Sequence, residues 1–237
     1  MSTVVVLGAG PGLGMSIAHR FGQEGRKVAL VSRSAERHPG YVAALKAAEV
    51  EAEAFTADVR DRDQLLSTVD TIVDRLGPVE VVYYGPADLG TRPQPITETT
   101  SADVTDAMSW VLPAVDVVGH VLPGMVERGT GGLLFAGGLS AVVPMPPLGA
   151  LALSSAALRN YALTLNAALA TQGIYAGSLT IGGLIERGDI HRALSGQIDG
   201  VSTLNPDDLA DAAWNLYSQR DRAEVTFSAL PDHAPLS

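Results

Sequence analysis

Apolar residues recur along this chain in two rhythms. Seven short runs rich in β-branched residues, Thr3–Leu7, Lys27–Val31, Glu51–Thr56, Val79–Val82, Gly132–Ala136, Ile174–Ile181 and Glu224–Ser228, read as strands. Six longer stretches repeat their apolar positions every three or four residues and read as helices: Gly12–Gly25, Ala35–Ala48, Arg62–Leu76, Ala102–Arg128, Gly149–Gln172 and Pro206–Arg220. Short strands alternating with long helices predict an α/β fold on a parallel sheet.

Local chemistry sharpens several boundaries. Asn205-Pro206-Asp207-Asp208 sets a capping side chain, a proline and two carboxylates at one helix start, each favourable there. Pro113 falls inside the fourth helical stretch, where it lacks an N–H and predicts a kink. No repeat, low-complexity tract or linker divides the chain, so residues 1–237 read as one domain. Residues 184–204 mix glycine, serine and charge after a strand and form a candidate lid.

Composition narrows the function. With 46% hydrophobic residues among 237, the chain can bury one sizeable core. A formal charge of −10 argues against nucleic acid and anionic membrane surfaces as partners. Cysteine is absent, which removes disulfides and thiolate chemistry and fits a reducing compartment. No basic segment precedes the first apolar run, and the expected location is the cytoplasm. The uncharged stretch between Arg128 and Arg159 carries Pro144, Pro146 and Pro147 among several glycines, so it reads as buried strand, loop and helix rather than a membrane span. His120 and His191 lack partners at metal-ligand spacing; packing and solvent are their expected surroundings, with no metal.

The first strand runs into Gly8-Ala9-Gly10-Pro11-Gly12-Leu13-Gly14 and then a helix. Such a turn aims backbone N–H groups and a positive helix end at a diphosphate. Gly8 allows the tight turn, Gly12 a close diphosphate, and Gly14 a close helix. The spacing is G-x-x-x-G-x-G, because Leu13 occupies the last glycine position of G-x-G-x-x-G. After the second strand, Ser32-Arg33 stands where a carboxylate would bind the ribose of NAD; a hydroxyl and a guanidinium suit the 2′-phosphate of NADP(H) instead.

These residues, with Asp58-Val59 after the third strand and Leu122-Pro123-Gly124-Met125 closing the fourth helix, resemble the short-chain dehydrogenase/reductase family over nearly the whole chain. The resemblance implies a Rossmann-type, doubly wound, seven-stranded parallel sheet in three α/β/α layers. It places Asp58 and Val59 beside the adenine. It extends the cofactor-binding set of Gly8, Gly10, Pro11, Gly12, Leu13, Gly14, Ser32 and Arg33 to Gly85, Pro86, Ala87, Ile181, Gly182 and Leu184. It also implies a homodimer or homotetramer packed through the fourth and fifth helices. Leu151–Leu158, small or apolar on most sides, fits such an interface.

The family's catalytic residues are missing. No Y-x-x-x-K occurs anywhere, and the only lysines are Lys27 and Lys46. Matching L-S-S-A-A-L-R-N to the family's fifth helix puts Leu151 at the tyrosine, Ser155 at the lysine and Gly138 at the serine position, while Trp110 replaces the relay asparagine. Tyr84, Ser140 and Ser155 are the candidate substitutes, with Tyr83 and Tyr161 behind them; of Tyr83 and Tyr84, strand alternation lets one face the cleft. Glu186 is a candidate lid cap. The apolar loop Val142–Leu148, with Trp110, suggests a hydrophobic ligand.

Two readings follow. One is an NADP(H)-dependent oxidoreductase with a non-standard proton donor, acting on a small apolar carbonyl, imine or activated alkene. The other is a catalytically degenerate dinucleotide-binding protein serving as sensor, regulatory subunit or non-redox cyclase or isomerase.

Overall fold

A computed structural model describes residues 2–87, 90, 93–194 and 203–229. The expected sheet is present. Its strands are β1 (Thr3–Leu7), β2 (Lys27–Ser32), β3 (Ala52–Thr56), β4 (Val79–Tyr84), β5 (Gly131–Gly138), β6 (Ile174–Gly182) and β9 (Glu224–Ser228). They lie in the order β3-β2-β1-β4-β5-β6-β9 with every pairing parallel. Between β6 and β9, β7 (Leu184–Ile185) and β8 (Thr203–Leu204) pair in a separate small ladder.

The continuous apolar runs are explained by cover on both faces. Along β1, Val5 and Leu7 point into a core shared with α3 (Arg62–Leu76), α5 (Leu112–Arg128) and α6 (Ala150–Leu169). Val4 and Val6 point into the opposite core, filled from α1 (Leu13–Gln23) by Ile17 and Phe21 and from α8 (Pro206–Gln219) by Leu209 and Ala213. All four β1 residues have no exposed surface. The chain winds from β1 outward to β3, then crosses back to β4. That reversal opens a crevice at the carboxyl ends of β1 and β4, where ligands of open α/β sheets bind.

Several local expectations hold. The Asn205 side chain accepts a 3.0 Å hydrogen bond from the Asp207 amide at the start of α8. The stretch from Arg128 to Arg159 folds as β5, two short turns and the first half of α6. The fourth helix is different: the chain forms α4 (Ser101–Met108), breaks at Ser109–Val111, and resumes as α5 with Pro113 in its first turn. A proline tolerated at a helix start marks a new helix here rather than a kink. Likewise the second helix begins at His38, later than expected, as α2 (His38–Ala47) with Pro39 in its first turn. Ser101–Arg128 is long and apolar enough by composition to cross a membrane, yet its second half buries Val117, Val118 and Met125 against the sheet.

One ion pair fixes α6 to the sheet edge. Arg159 donates from Nε and Nη2 to the two Glu224 oxygens, each at 2.6 Å, and Thr180 Oγ1 adds a third bond of 2.7 Å. The guanidinium holds the Glu224 carboxyl below its ordinary range despite partial burial. A lowered folded pKa contributes stability above the unfolded value, about 4.3, and that stability is lost as pH falls through the folded value. Glu224→Gln is therefore expected to destabilise the chain by about 1–3 kcal/mol at pH 7. Denaturant titrations from pH 7 to pH 3 should show the gap between wild type and variant closing below about pH 4; a gap independent of pH would contradict the ion pair.

Candidate functional site

The site begins where β1 turns into α1. Gly8 has φ +93°, and a Cβ there would stand 2.7 Å from the backbone of Gly85 and Pro86 at the end of β4. At Gly14 a Cβ would stand 2.6 Å from the Gly8 carbonyl oxygen, so helix and turn meet without side chains. The Gly8 and Ala9 amides both donate to the Val31 carbonyl, at 3.1 and 3.0 Å. The next amides do otherwise. Those of Gly10, Gly12, Leu13 and Gly14 make no hydrogen bond to any described residue, and α1 has no side-chain cap. Orphan donors at a helix start attract an anion.

These amides border a cleft of about 740 Å³. Gly8, Gly10, Pro11, Gly12, Leu13 and Gly14 line it, as do Ser32 and Arg33 after β2 and Val59 after β3. Gly85, Pro86 and Ala87 after β4, with Ile181 and Leu184, complete the expected set. Two expected residues do not line it. Asp58 turns its carboxylate to Arg60, accepting from the Arg60 amide at 3.0 Å and lying 3.5 Å from its guanidinium. Gly182 is buried beneath Leu139, whose side chain fills the space a Cβ would need. Gly12 serves a purpose that spacing did not reveal: its missing Cβ admits Glu186 and Gly188, whose backbone comes within 3.1 Å of that position.

The far end of the cleft holds the catalytic candidates. Ser140 and Ser155 both line it, and each hydroxyl lies 3.3 Å from where a Gly138 Cβ would be. Two seryl oxygens thus flank the position at which the resemblance expects a serine. Tyr83 and Tyr84 both reach the lining although their rings enter opposite cores, so the expectation that one faces the cleft needs correction. Tyr84 donates its hydroxyl to the Trp110 carbonyl at 2.6 Å, and burial pushes both tyrosines well above the usual phenol range. Neither is poised as an acid. Tyr161 packs edge-on against Phe135 with ring centres 5.9 Å apart. Of the loop Val142–Leu148, only Leu148 lines the cleft, joined by Leu151 and Leu158 from α6. Trp110 also lines the cleft, with Arg60 and Arg33 over its ring.

The candidate lid is tied down on both sides. Arg187 lies 2.6 Å from Asp207 and donates to Ser16 Oγ at 3.1 Å, joining the segment after β7 to α8 and α1. Asp189, at the start of α7 (Asp189–Leu194), pairs with Arg37 at 2.7 Å across the cleft mouth. Glu186, the candidate lid cap, accepts from Thr203 Oγ1 at 2.7 Å and so links the end of β7 to β8 within that segment. Residues 195–202 of the expected lid lie outside the described residues. His120 pairs with Asp70 at 2.7 Å instead of packing in the core, and His191 sits half-buried on α7. No cluster that could hold a metal occurs among the described residues. Sequence reasoning passed over Arg37, which lines the cleft, and over Arg60 and Arg187, which contact Trp110 and Asp207 beside it; the signal was three arginines flanking glycine- and aspartate-bearing turns in a strongly acidic chain.

Comparison with known proteins agrees with this geometry. The profile of the short chain dehydrogenase family matches residues 2–188. A short chain dehydrogenase of Pseudocercospora fijiensis is 28% identical over 76% of this chain and 59% of its own length. The chain spans less than two thirds of the length of the first curated relatives it matches. Among solved structures, a short chain oxidoreductase of Pseudomonas aeruginosa, described as containing an atypical catalytic center, superposes with a TM-score of 0.85 at 19% identity, covering 98% of both chains. A gluconate 5-dehydrogenase of Burkholderia cenocepacia, solved with NADP and tartrate, gives 0.83 at 19% identity, covering 96% of this chain and 93% of its own. At these identities the structural likeness is one of fold.

The turn itself can be tested with two glycines. Gly8 and Gly25 share positive φ, +93° and +79°, but a Cβ at Gly25 meets nothing within 4 Å. Gly25→Ala carries only conformational strain of about 1–2 kcal/mol. Gly8→Ala adds a clash with backbone that cannot swing aside and should cost about 3 kcal/mol or more. Thermal melts should show Gly8→Ala losing at least twice the Tm that Gly25→Ala loses; equal losses would mean the strand ends are not closely apposed.

Proposed function

This chain belongs to the short-chain dehydrogenase/reductase family, and from that premise we propose that it is an NADP(H)-dependent oxidoreductase lacking the family's tyrosine acid. The observation carrying this reading is the set of four amides, Gly10, Gly12, Leu13 and Gly14, that have no partner among the described residues and border the cleft. Their donors, the open space at Gly10 and the Arg33 guanidinium on the same wall fit a diphosphate at one point and a ribose phosphate at another. Ser32 is bonded to His38 Nε2 at 2.7 Å and to the Ser34 carbonyl at 3.0 Å, and the Arg33 guanidinium beside it offers the charge and the fork of donors that suit a phosphate monoester. NADP in the complex of the B. cenocepacia neighbour agrees with that choice.

When bound, the reduced nicotinamide supplies a hydride; the protein supplies alignment and a dry wall. Leu148, Leu151 and Leu158 exclude water from the reacting end, and the Ser140 and Ser155 hydroxyls orient an acceptor atom beside Gly138. A seryl hydroxyl is too weak an acid to replace a tyrosine, and a positioned general acid contributes about 10²–10⁴-fold. The preferred substrate is therefore one that needs no acid: an iminium carbon first, then an activated alkene or small apolar carbonyl. Leu112, Val115 and Leu153, between 43% and 56% exposed, support self-association of two or four chains through α5 and α6.

A second reading, dinucleotide binding without turnover, is favoured by the substitutions at Leu151, Ser155, Gly138 and Trp110 taken together. Fluorescence titration of NADPH followed by its oxidation with a panel of imines, enones and carbonyls separates the two. Saturable binding with imine-dependent oxidation is the expected result. Binding without oxidation of any panel member leaves the second reading, and absence of binding at millimolar NADPH removes both.

A further inference from the structure

Trp110 stands half-buried at the break between α4 and α5, on the same cleft wall as Arg33. Its carbonyl has left the helical ladder and accepts the Tyr84 hydrogen bond of 2.6 Å from the end of β4. Two guanidiniums rest on its ring: Arg60, 4.6 Å from the ring centre, and Arg33 at 5.7 Å. These arginines come from different turns, Arg33 after β2 and Arg60 after β3, and both are exposed. A long exposed cation samples many rotamers, and freezing it on binding opposes affinity. An aromatic face that attracts the guanidinium removes part of that freedom beforehand. Asp58 lies 3.5 Å from Arg60, and despite desolvation both arginines hold its carboxyl below the ordinary range.

We propose that Trp110 determines the choice of dinucleotide: anchored by Tyr84, its indole ring fixes Arg33 and Arg60 as a pair at the cleft rim, where they receive the phosphate monoester on an adenosine ribose. The inference rests on the NADP(H) reading above and deepens it. It gives Tyr84 a positioning role in place of proton transfer, and it explains why an aromatic ring stands where the family has a relay asparagine. Arg37 contributes less than its place on the rim suggests, because Asp189 already holds it at 2.7 Å.

Isothermal titration of NADP, NAD, 2′,5′-ADP and AMP into wild type, Trp110→Leu, Trp110→Phe and Arg60→Met tests this, with thermal melts to verify folding. Trp110→Leu should weaken NADP and 2′,5′-ADP about 10-fold while NAD and AMP change less than about twofold. Trp110→Phe should recover part of the loss, since a smaller aromatic face still holds a guanidinium. Arg60→Met, an exposed change, should shift the same ratio and carries the test if Trp110→Leu does not fold. Parallel losses for NADP and NAD, or an unchanged NADP/NAD ratio in Trp110→Leu and Arg60→Met, would overturn the role of Trp110. A wild type that binds neither dinucleotide would instead overturn the reading beneath it.

Discussion

The architecture depends on one close approach of backbone to backbone. Where β1 ends, Gly8 passes the ends of β4 at Gly85 and Pro86 with no room for a Cβ, and Gly14 then lets α1 start against the Gly8 carbonyl. Gly8 and Ala9 donate to Val31, and the amides of Gly10, Gly12, Leu13 and Gly14 meet no acceptor among the described residues. Unpartnered N–H groups at a helix start are costly unless water or a ligand meets them. The site is thus a by-product of sheet topology: the reversal of winding between β1 and β4 makes both the crevice and its donors.

Charge is distributed around that crevice with a purpose the net value conceals. The chain is acidic, yet Arg33 and Arg37 line the cleft, Arg187 lies in its lid and Arg60 rests on the cleft-lining Trp110. Asp207 and Asp189 hold Arg187 and Arg37 in ion pairs that fasten the segment after β7 over the glycine turn. Arg187 holds the Asp207 carboxyl below its ordinary range, and the partners are half exposed, so the fastening is modest and reversible. At the opposite end the cleft is lined by Leu148, Leu151 and Leu158 with the hydroxyls of Ser140 and Ser155. Under the proposed function, hydride transfer at that end relies on alignment of cofactor and substrate.

Much of this was legible in the sequence, for identifiable reasons. Strand runs buried on both faces, such as Val4–Leu7, carry their own signal, and the glycine turn has few alternatives once a strand precedes it and a helix follows. The asparagine cap before α8 was equally plain. Pro113 misled because a proline permits either a kink or a fresh start, and only the capping and packing of α4 decide between them. Asp58 is placed on the cleft by resemblance, whereas it does not line it and its carboxylate lies 3.5 Å from Arg60, two residues on. The second duty of Gly12, the hydrogen bond from Tyr84 to Trp110 and the arginines on the indole ring join residues 26 to 176 positions apart; no local pattern encodes such meetings. The likeness to a solved structure described as having an atypical catalytic center, at 19% identity, also shows how firmly this frame persists while sequences diverge.

The central claim is that the amides of Gly10, Gly12, Leu13 and Gly14 are held open for a diphosphate. Hydrogen exchange of these amides, followed by NMR with and without saturating NADP, tests it most directly. Slowing of about tenfold or more at these positions, with Gly8 and Ala9 unchanged because they already bond to Val31, is the predicted result. Exchange at residues 10–14 that is indifferent to the nucleotide would contradict the account.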